Sequence, residues 1–222
     1  MIEFAGRAFV AVLFDGDGVV FDSEELSILA FCESLRPYGI HLDRAGAERF
    51  IGVGTGRVLE TLIAENNVRI DMEKFVDDRD EFYMKVSREH DGPKAAEGAV
   101  ALLDFLDAKG IPFALASSAS PAKVKFNLET SGLTGRFRAV VNGAEVARGK
   151  PDPDIFQEAA RRLGVAPQDC LALEDSLHGL TSAITAGCTA IAIASSFPAA
   201  ALREYTQHVY ANPGGVLRVL KG

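Results

Sequence analysis

The chain is predicted to be an α/β protein: a parallel sheet with helices on both faces, interrupted early by a purely helical insertion. Three observations carry this. Short apolar runs without polar alternation recur at Ala8–Phe14, Ile111–Ala116, Cys170–Leu173 and Thr189–Ala194, the pattern of strands buried on both faces. Helical periodicity fills the segments between the later runs, and such βα alternation gives parallel strands joined by crossovers. Residues 23–91 break the alternation, reading as helix after helix with no convincing strand.

The first strand, Ala8–Phe14, leads into Asp15-Gly16-Asp17-Gly18. A strand ending in Asp-x-Asp sends both acids out of its carboxyl end, where open α/β sheets bind ligands, and the glycines let the backbone turn tightly. Asp-Gly is also a strong hairpin signal, so the stretch taken alone fits a simple turn equally well. Asp22 is a candidate N-cap with Glu25 reaching back, followed by Leu26, Leu29, Ala30 and Leu35 at helical spacing. Helices are expected over Arg44–Phe50, Arg57–Ala64 and Met72–His90, punctuated by Gly39, by Gly52, Gly54 and Gly56, and by Asn66-Asn67. The core then resumes with a helix at Glu97–Lys109 and the strand Ile111–Ala116, which ends in Ser117-Ser118. A helix at Ala122–Ser131, a short strand at Ala139–Val141, a helix at Asp154–Leu163 and a strand at Cys170–Leu173 follow. The last expected elements are a helix at Leu177–Ala186, the strand Thr189–Ala194, a short helix near Ala199–Glu204 and a weak strand at His208–Tyr210. The expected organisation is an α/β core of residues 1–22 and 92–222 holding a helical subdomain of residues 23–91.

A chain of 222 residues, 48% hydrophobic, buries a substantial core. Its formal charge of −8 argues against nucleic acid or an anionic membrane as the main partner, since both call for a basic footprint. The three cysteines, Cys32, Cys170 and Cys188, are widely spaced with no Cys-x-x-Cys, which fits buried thiols in a reducing compartment and gives no zinc site. The opening MIEFAGRAFVAVLF is too short to span a bilayer and lacks the features of a secretory signal, so a cytoplasmic location is expected. Nothing in the sequence calls for more than a monomer.

Parallel strands would bring Asp15 and Asp17, Ser117, Lys150, and Glu174 with Asp175 to one edge of the sheet. Such a convergence of carboxylates, hydroxyl and ammonium is what a Mg²⁺-assisted phosphoryl-transfer site needs, because Mg²⁺ takes oxygen ligands and commonly only one or two carboxylates beside a substrate phosphate. Asp15, Asp175 and the backbone carbonyl of Asp17 would suffice. Each residue also has a plainer reading. Lys150 precedes Pro151 and Asp152-Pro153 and fits a solvated loop before a helix, Ser117 fits a strand end, and Glu174-Asp175 fit the acidic start of a helix.

The motifs Asp15-Gly-Asp17-Gly, Ser117, Gly149-Lys150-Pro151-Asp152-Pro153-Asp154 and Glu174-Asp175-Ser176-Leu-His-Gly179, in this order, resemble the haloacid dehalogenase superfamily. Ser182-Ala183 and Ala186-Gly187 also fit the pattern of its helical-cap group, which includes β-phosphoglucomutase. The resemblance covers nearly the whole chain and implies a Rossmann-like core with an inserted cap. It implies that Asp15 is a nucleophile taking the phosphoryl group as an aspartyl phosphate and that Asp17 is the general acid and base. Ser117 and the Ser118 amide would bind the phosphoryl oxygens, with Lys150 neutralising charge, Asp15, Asp17 and Asp175 holding Mg²⁺, and Glu174 supporting them from behind. Gly52, Thr55 and Arg57 in the cap would touch the substrate.

In an ungapped alignment from the first motif, three positions depart from the mutase branch. Ser27 stands for its cap-hinge histidine, Ser120 for a lysine, and Thr55 falls near its cap arginine. A sugar bisphosphate would then lack its distal clamp unless Arg57 or Lys123 substitutes. The expected activity is therefore Mg²⁺-dependent hydrolysis of a small phosphate ester, a sugar or sugar-acid phosphate. A phosphosugar mutase and a noncatalytic phosphate-binding protein on the same fold stand as alternatives. Gly52-x-Gly54-x-Gly56 has the wrong spacing for a dinucleotide loop. Asp77–Glu81 reads as a solvated helix face, and His178 as a helix residue near the site.

Overall fold

The computed structural model describes residues 1–48, 50 and 55–222; the side chains of residues 48, 55–57, 72, 73, 76 and 77 also lie outside the description. The chain forms two compact units, Met1–Asp22 with Lys94–Gly222, and Ser23–Pro93. The second boundary falls two residues past the position read from the sequence.

The first unit opens with a correction. Ala8–Phe14 is not one strand: β1 (Ile2–Phe4) and β2 (Arg7–Phe9) form an antiparallel hairpin, and only β3 (Ala11–Phe14) enters the main sheet. Ala5 and Gly6 both take positive φ, 49° and 75°, which is the tight turn that joins two short strands. After the acidic loop the chain forms β4 (Phe21–Asp22).

The second unit contains α1 (Glu24–Leu35), α2 (Arg44–Glu48), α3 (Thr55–Asn66) and α4 (Met72–Glu89). Its apolar positions meet in a cluster of Leu35, Ile40, Val58, Leu59, Leu62 and Phe75, with Phe31 edge-on to Phe75 at 6.0 Å. Asp71 caps α4 by accepting from the Lys74 amide at 3.1 Å. At α1 the N-cap position is Ser23 rather than Asp22, which belongs to β4, and Glu25 pairs with Arg44 at 2.8 Å instead of reaching back.

The chain returns to the first unit through β5 (Lys94–Ala95), antiparallel to β4. It continues through α5 (Ala99–Ala108), β6 (Phe113–Ala116), α6 (Pro121–Thr130), β7 (Ala139–Val141), α7 (Asp154–Leu163), β8 (Cys170–Glu174), α8 (Leu177–Ala186), β9 (Thr189–Ile193), α9 (Ala199–Leu202), β10 (Val209–Tyr210) and α10 (Pro213–Lys221). The C-terminal α10 was absent from the sequence expectation, although Asn212 and Pro213 form a helix start: the Asn212 side chain accepts from the Gly215 amide.

The main sheet is six-stranded in the order β10-β9-β8-β3-β6-β7, with every pair parallel. The two faces are built from different residues. Val12, Phe14, Leu115, Leu171, Leu173 and Ile191 pack toward Leu102, Leu103 and Leu106 of α5 and Val216 of α10. The alternate positions Ala11, Ala114, Ala116, Ala172, Ala190 and Ala192 are small, and they pack with Phe156 and Ala159 of α7 and Leu180 and Ala183 of α8. From β3 the chain builds outward to β6 and β7, then crosses back to lay β8 on the other side of β3. The carboxyl ends of β3, β6 and β8 therefore flank a topological switch point, where this kind of sheet opens a crevice. No described helix is long and apolar enough to cross a membrane.

Candidate active site

Register sets the first contacts. Phe14 pairs with Leu115 on one side and Leu173 on the other, so the next residue, Asp15, emerges between the ends of β6 and β8, its amide still donating to Leu173 O at 2.9 Å. The loop that follows turns back at once, with the Val20 and Phe21 amides both donating to Gly16 O at 2.9 Å. Gly18 sits at φ 77°, where a Cβ would lie 2.0 Å from Asp175 Oδ2, so no other residue fits there without displacing that carboxylate.

Lys150 is the hub. Its ammonium donates to Asp15 Oδ1, to Glu174 Oε1 at 2.6 Å and to Ala116 O at 3.0 Å, which uses all three of its protons. The side chain is only 7% exposed and its Nζ lies 5.1 Å from the Phe156 ring centre. It does not directly follow β7; a 3₁₀ turn at Gly143–Glu145 intervenes. The loop is tied down where Ser182 of α8, fully buried, donates to Asp152 O at 2.5 Å.

Glu174 is saturated as well. While Oε1 takes the lysine, Oε2 accepts from the Asp175 amide at 2.9 Å, the Ser176 amide at 2.9 Å and the Ser176 hydroxyl at 3.0 Å. Asp175 accepts on Oδ2 from Ser195 at 3.2 Å and from Ser196. The sequence reading did not include these two serines, which follow β9 one strand further along the sheet.

The electrostatics follow from burial. Asp15 is pushed up to about 7 by desolvation, which outweighs the attraction of Lys150, and Glu174 and Asp17 add repulsion. Burial, then repulsion from Glu174 and Asp15, raises Asp175 well above the ordinary carboxylate range. For Lys150 burial acts downward, yet Asp15 and Glu174 together hold the ammonium above its usual value. One lysine therefore faces three buried carboxyl groups. Oxygens of Asp15, Glu174 and Asp175 lie within 4.8 Å of one another, a hard oxygen donor set that fits a divalent cation such as Mg²⁺. Glu174 already spends both oxygens on hydrogen bonds, which leaves Asp15 and Asp175 as the carboxylates best placed to ligate.

Asp17 stands apart. Its carboxylate is absent from that cluster and points to α6, where Lys123 Nζ lies 2.9 Å from Oδ2 and Asn127 Nδ2 lies 3.3 Å from Oδ1. A part for Asp17 in holding a metal would thus fall to its backbone carbonyl. Lys123, considered from the sequence as a second phosphate clamp, is committed to Asp17. Ser117 is buried, with its hydroxyl accepting from the Ala119 amide at 3.2 Å, and a Cβ on Gly16 would lie 3.1 Å from its Oγ, so it borders the acidic loop. Ser118 is exposed just before α6, which Ser120 caps. His178 is exposed on α8. Gly52 and Gly54 lie outside the described residues; Thr55 and Arg57 sit on α3 with their side chains outside the description.

Residues 12–193 match the family of haloacid dehalogenase-like hydrolases. The chain is 32% identical over 185 residues to the bifunctional riboflavin kinase/FMN phosphatase of Arabidopsis thaliana, covering 83% of this chain but only 48% of that protein. It thus spans about half the length of that relative. The phosphorylated carbohydrates phosphatase of Thermotoga maritima is 30% identical over 217 residues, 95% of this chain and 98% of its own. Among solved structures, a HAD hydrolase of family IA, variant 3, from Entamoeba histolytica superposes with a TM-score of 0.80 at 25% identity, over 96% of this chain and 99% of that one. A parallel sheet with its acids gathered at the switch point, matched from β3 to β9, leads to one assignment: this chain belongs to the haloacid dehalogenase-like hydrolases.

Proposed function

We propose that the protein is a Mg²⁺-dependent phosphatase that hydrolyses a small phosphorylated metabolite, a sugar or sugar-acid phosphate, through an aspartyl phosphate on Asp15. The observation that carries this reading is the buried Asp15–Lys150–Glu174 chain beside Asp175. Lys150 grips one oxygen of Asp15 and fixes the carboxylate's rotation, so the nucleophile is aimed before substrate arrives. In the first step an Asp15 oxygen bonds to phosphorus as the ester P–O bond breaks, and Asp17 gives its proton to the leaving oxygen. In the second, water attacks phosphorus, its proton passes to Asp17, and the bond to Asp15 breaks. The Ser117 hydroxyl and the amides before α6 hold the phosphoryl oxygens, with Lys150 balancing their charge. Mg²⁺, held by Asp15, Asp175 and the Asp17 carbonyl, would supply further charge neutralisation. The helical unit is read as a cap in which Gly52, Thr55 and Arg57 select the substrate.

Hydrolysis is favoured over a mutase because Lys123 is spent on Asp17 rather than free to clamp a second phosphate. The Thermotoga relative, named for phosphorylated carbohydrates, supports the substrate class. The test is phosphate release from sugar, sugar-acid and nucleotide monophosphates, with Mg²⁺ and then with chelator, using Asp15→Asn as the blank. Metal-dependent release by the unmodified protein alone is expected. No release from any compound would turn the assignment toward the mutase or the noncatalytic binder.

A further inference from the structure

The contacts of Asp17 are unlike those of the other acids in the site. Both its oxygens are taken from one helix: Oδ2 by Lys123 Nζ at 2.9 Å and Oδ1 by Asn127 Nδ2 at 3.3 Å. Lys123 and Asn127 are four residues apart on α6 and so share one face. Both are buried, at 7% and 1% exposure, whereas the Asp17 side chain is 35% exposed. A lysine seldom turns inward unless it is paired, and here the pairing is with a carboxylate on a loop rather than with its own helix. Asn127 adds a second anomaly. Its amide oxygen is buried without a hydrogen-bond partner among the described residues, a cost that an apolar side chain at this position would avoid. Turning the amide over would set oxygen against the Asp17 carboxylate, so Asp17 dictates its orientation.

We propose that Lys123 and Asn127 are positioning residues, a two-point clamp on one face of α6 that aims the Asp17 carboxylate at the leaving oxygen of the substrate. The proposal rests on the acid and base reading of Asp17. The two contacts differ in strength. The charged pair to Oδ2 is short and buried on the lysine side, and the neutral contact to Oδ1 is near the long limit for a hydrogen bond. Lys123 therefore keeps its oxygen through the reaction. Oδ1 exchanges Asn127 for the ester oxygen, and a proton taken up on Oδ1 from solvent before the step passes to that oxygen as the P–O bond breaks.

The test is kcat/KM, which reports transfer to Asp15, measured with two substrates. One is the sugar phosphate released fastest in the panel above; the other is p-nitrophenyl phosphate, whose leaving group departs without a proton. Lys123→Met is expected to lower kcat/KM for the sugar phosphate about 30-fold, within the range general acid catalysis supplies, and for the aryl ester less than about 3-fold. Added to Asp17→Asn, it should cost nothing further. Asn127→Leu should show the same selectivity with a smaller loss and a Tm no lower than that of the unmodified protein. Equal losses on both substrates, or a Lys123→Met loss that persists in the Asp17→Asn background, would overturn the clamp and make Lys123 a phosphate ligand or a structural residue. Full sugar-phosphate turnover by Asp17→Asn would overturn the acid and base reading itself, an outcome distinct from failure of the clamp.

Discussion

Gly179 sits so close to Glu174 that a Cβ on the glycine would lie 1.9 Å from the carboxyl carbon and from Oε1, and 2.1 Å from Oε2. The glycine is helical, so alanine would suit the backbone; the obstacle is the neighbour. Glu174 is 1% exposed and held by Lys150, two amides and a hydroxyl, and has nowhere to move. Gly179→Ala should therefore destabilise the protein by about 2–4 kcal/mol, combining overpacking with broken buried hydrogen bonds. Urea denaturation would show it, and an unchanged midpoint would mean that Glu174 can repack.

Lys150→Met tests the hub from the other side. It leaves Asp15 and Glu174 buried without their cation, and a broken buried pair costs about 3–5 kcal/mol. The stranded carboxyls can escape this by binding protons. The destabilisation should thus be large at pH 8 and smaller at pH 5, and phosphatase activity should fall by at least about 10²-fold. Equal destabilisation at the two pH values would indicate that packing, not charge, holds this centre.

Cation binding should be proton-linked. In the metal-free protein Asp15 titrates near 7, above its ordinary value, so it keeps its proton through mildly acidic pH. The folded state then binds more protons than the unfolded one between the two values, and this contribution to stability is lost as pH rises through 7. A cation must displace the proton, and the raised Asp175 carboxyl adds a second, so Mg²⁺ affinity should weaken by at least about tenfold per pH unit below 7. The shift in Tm with Mg²⁺ at pH 5, 6, 7 and 8 reads this directly. An affinity flat across that range would remove Asp15 from the metal site.

On the outer face of α7, hydrogen bonds from Arg161 and Arg162 pull Glu158 down to about 2. A depressed acid stabilises the fold above its unfolded value near 4.3, and that gain disappears as pH falls toward 2. The group is near the surface, so the gain is small and screened by salt. Glu158→Gln should make acid unfolding slightly less steep at low ionic strength and match the unmodified protein at 1 M salt. A difference that survives high salt would count against the ion-pair origin.

Much of this was legible in the amino-acid order. Strands β3, β6, β8 and β9 are runs that make sense only when buried on both faces, and the polar residues at their ends had to meet once the strands ran parallel. Asp15, Glu174 and Asp175 come together on that logic, whereas Lys150 reaches them from a loop that runs on past β7 and a 3₁₀ turn. The N-terminal hairpin was hidden because Ala5-Gly6 is an inconspicuous turn beside a continuous apolar stretch, and α10 because its glycines mask its periodicity.

The sequence by itself determined most of the main sheet and the edge at which its strand-end acids gather, because strand burial and chain direction are local properties that repeat along the chain. The tertiary structure alone decided which charge neutralises which: that Glu174 serves Lys150, and that Asp17 turns to Lys123 and Asn127, the latter 110 residues away. Such partnerships depend on where a helix settles against a loop and which way its side chains then face, and packing sets both only after distant segments have met.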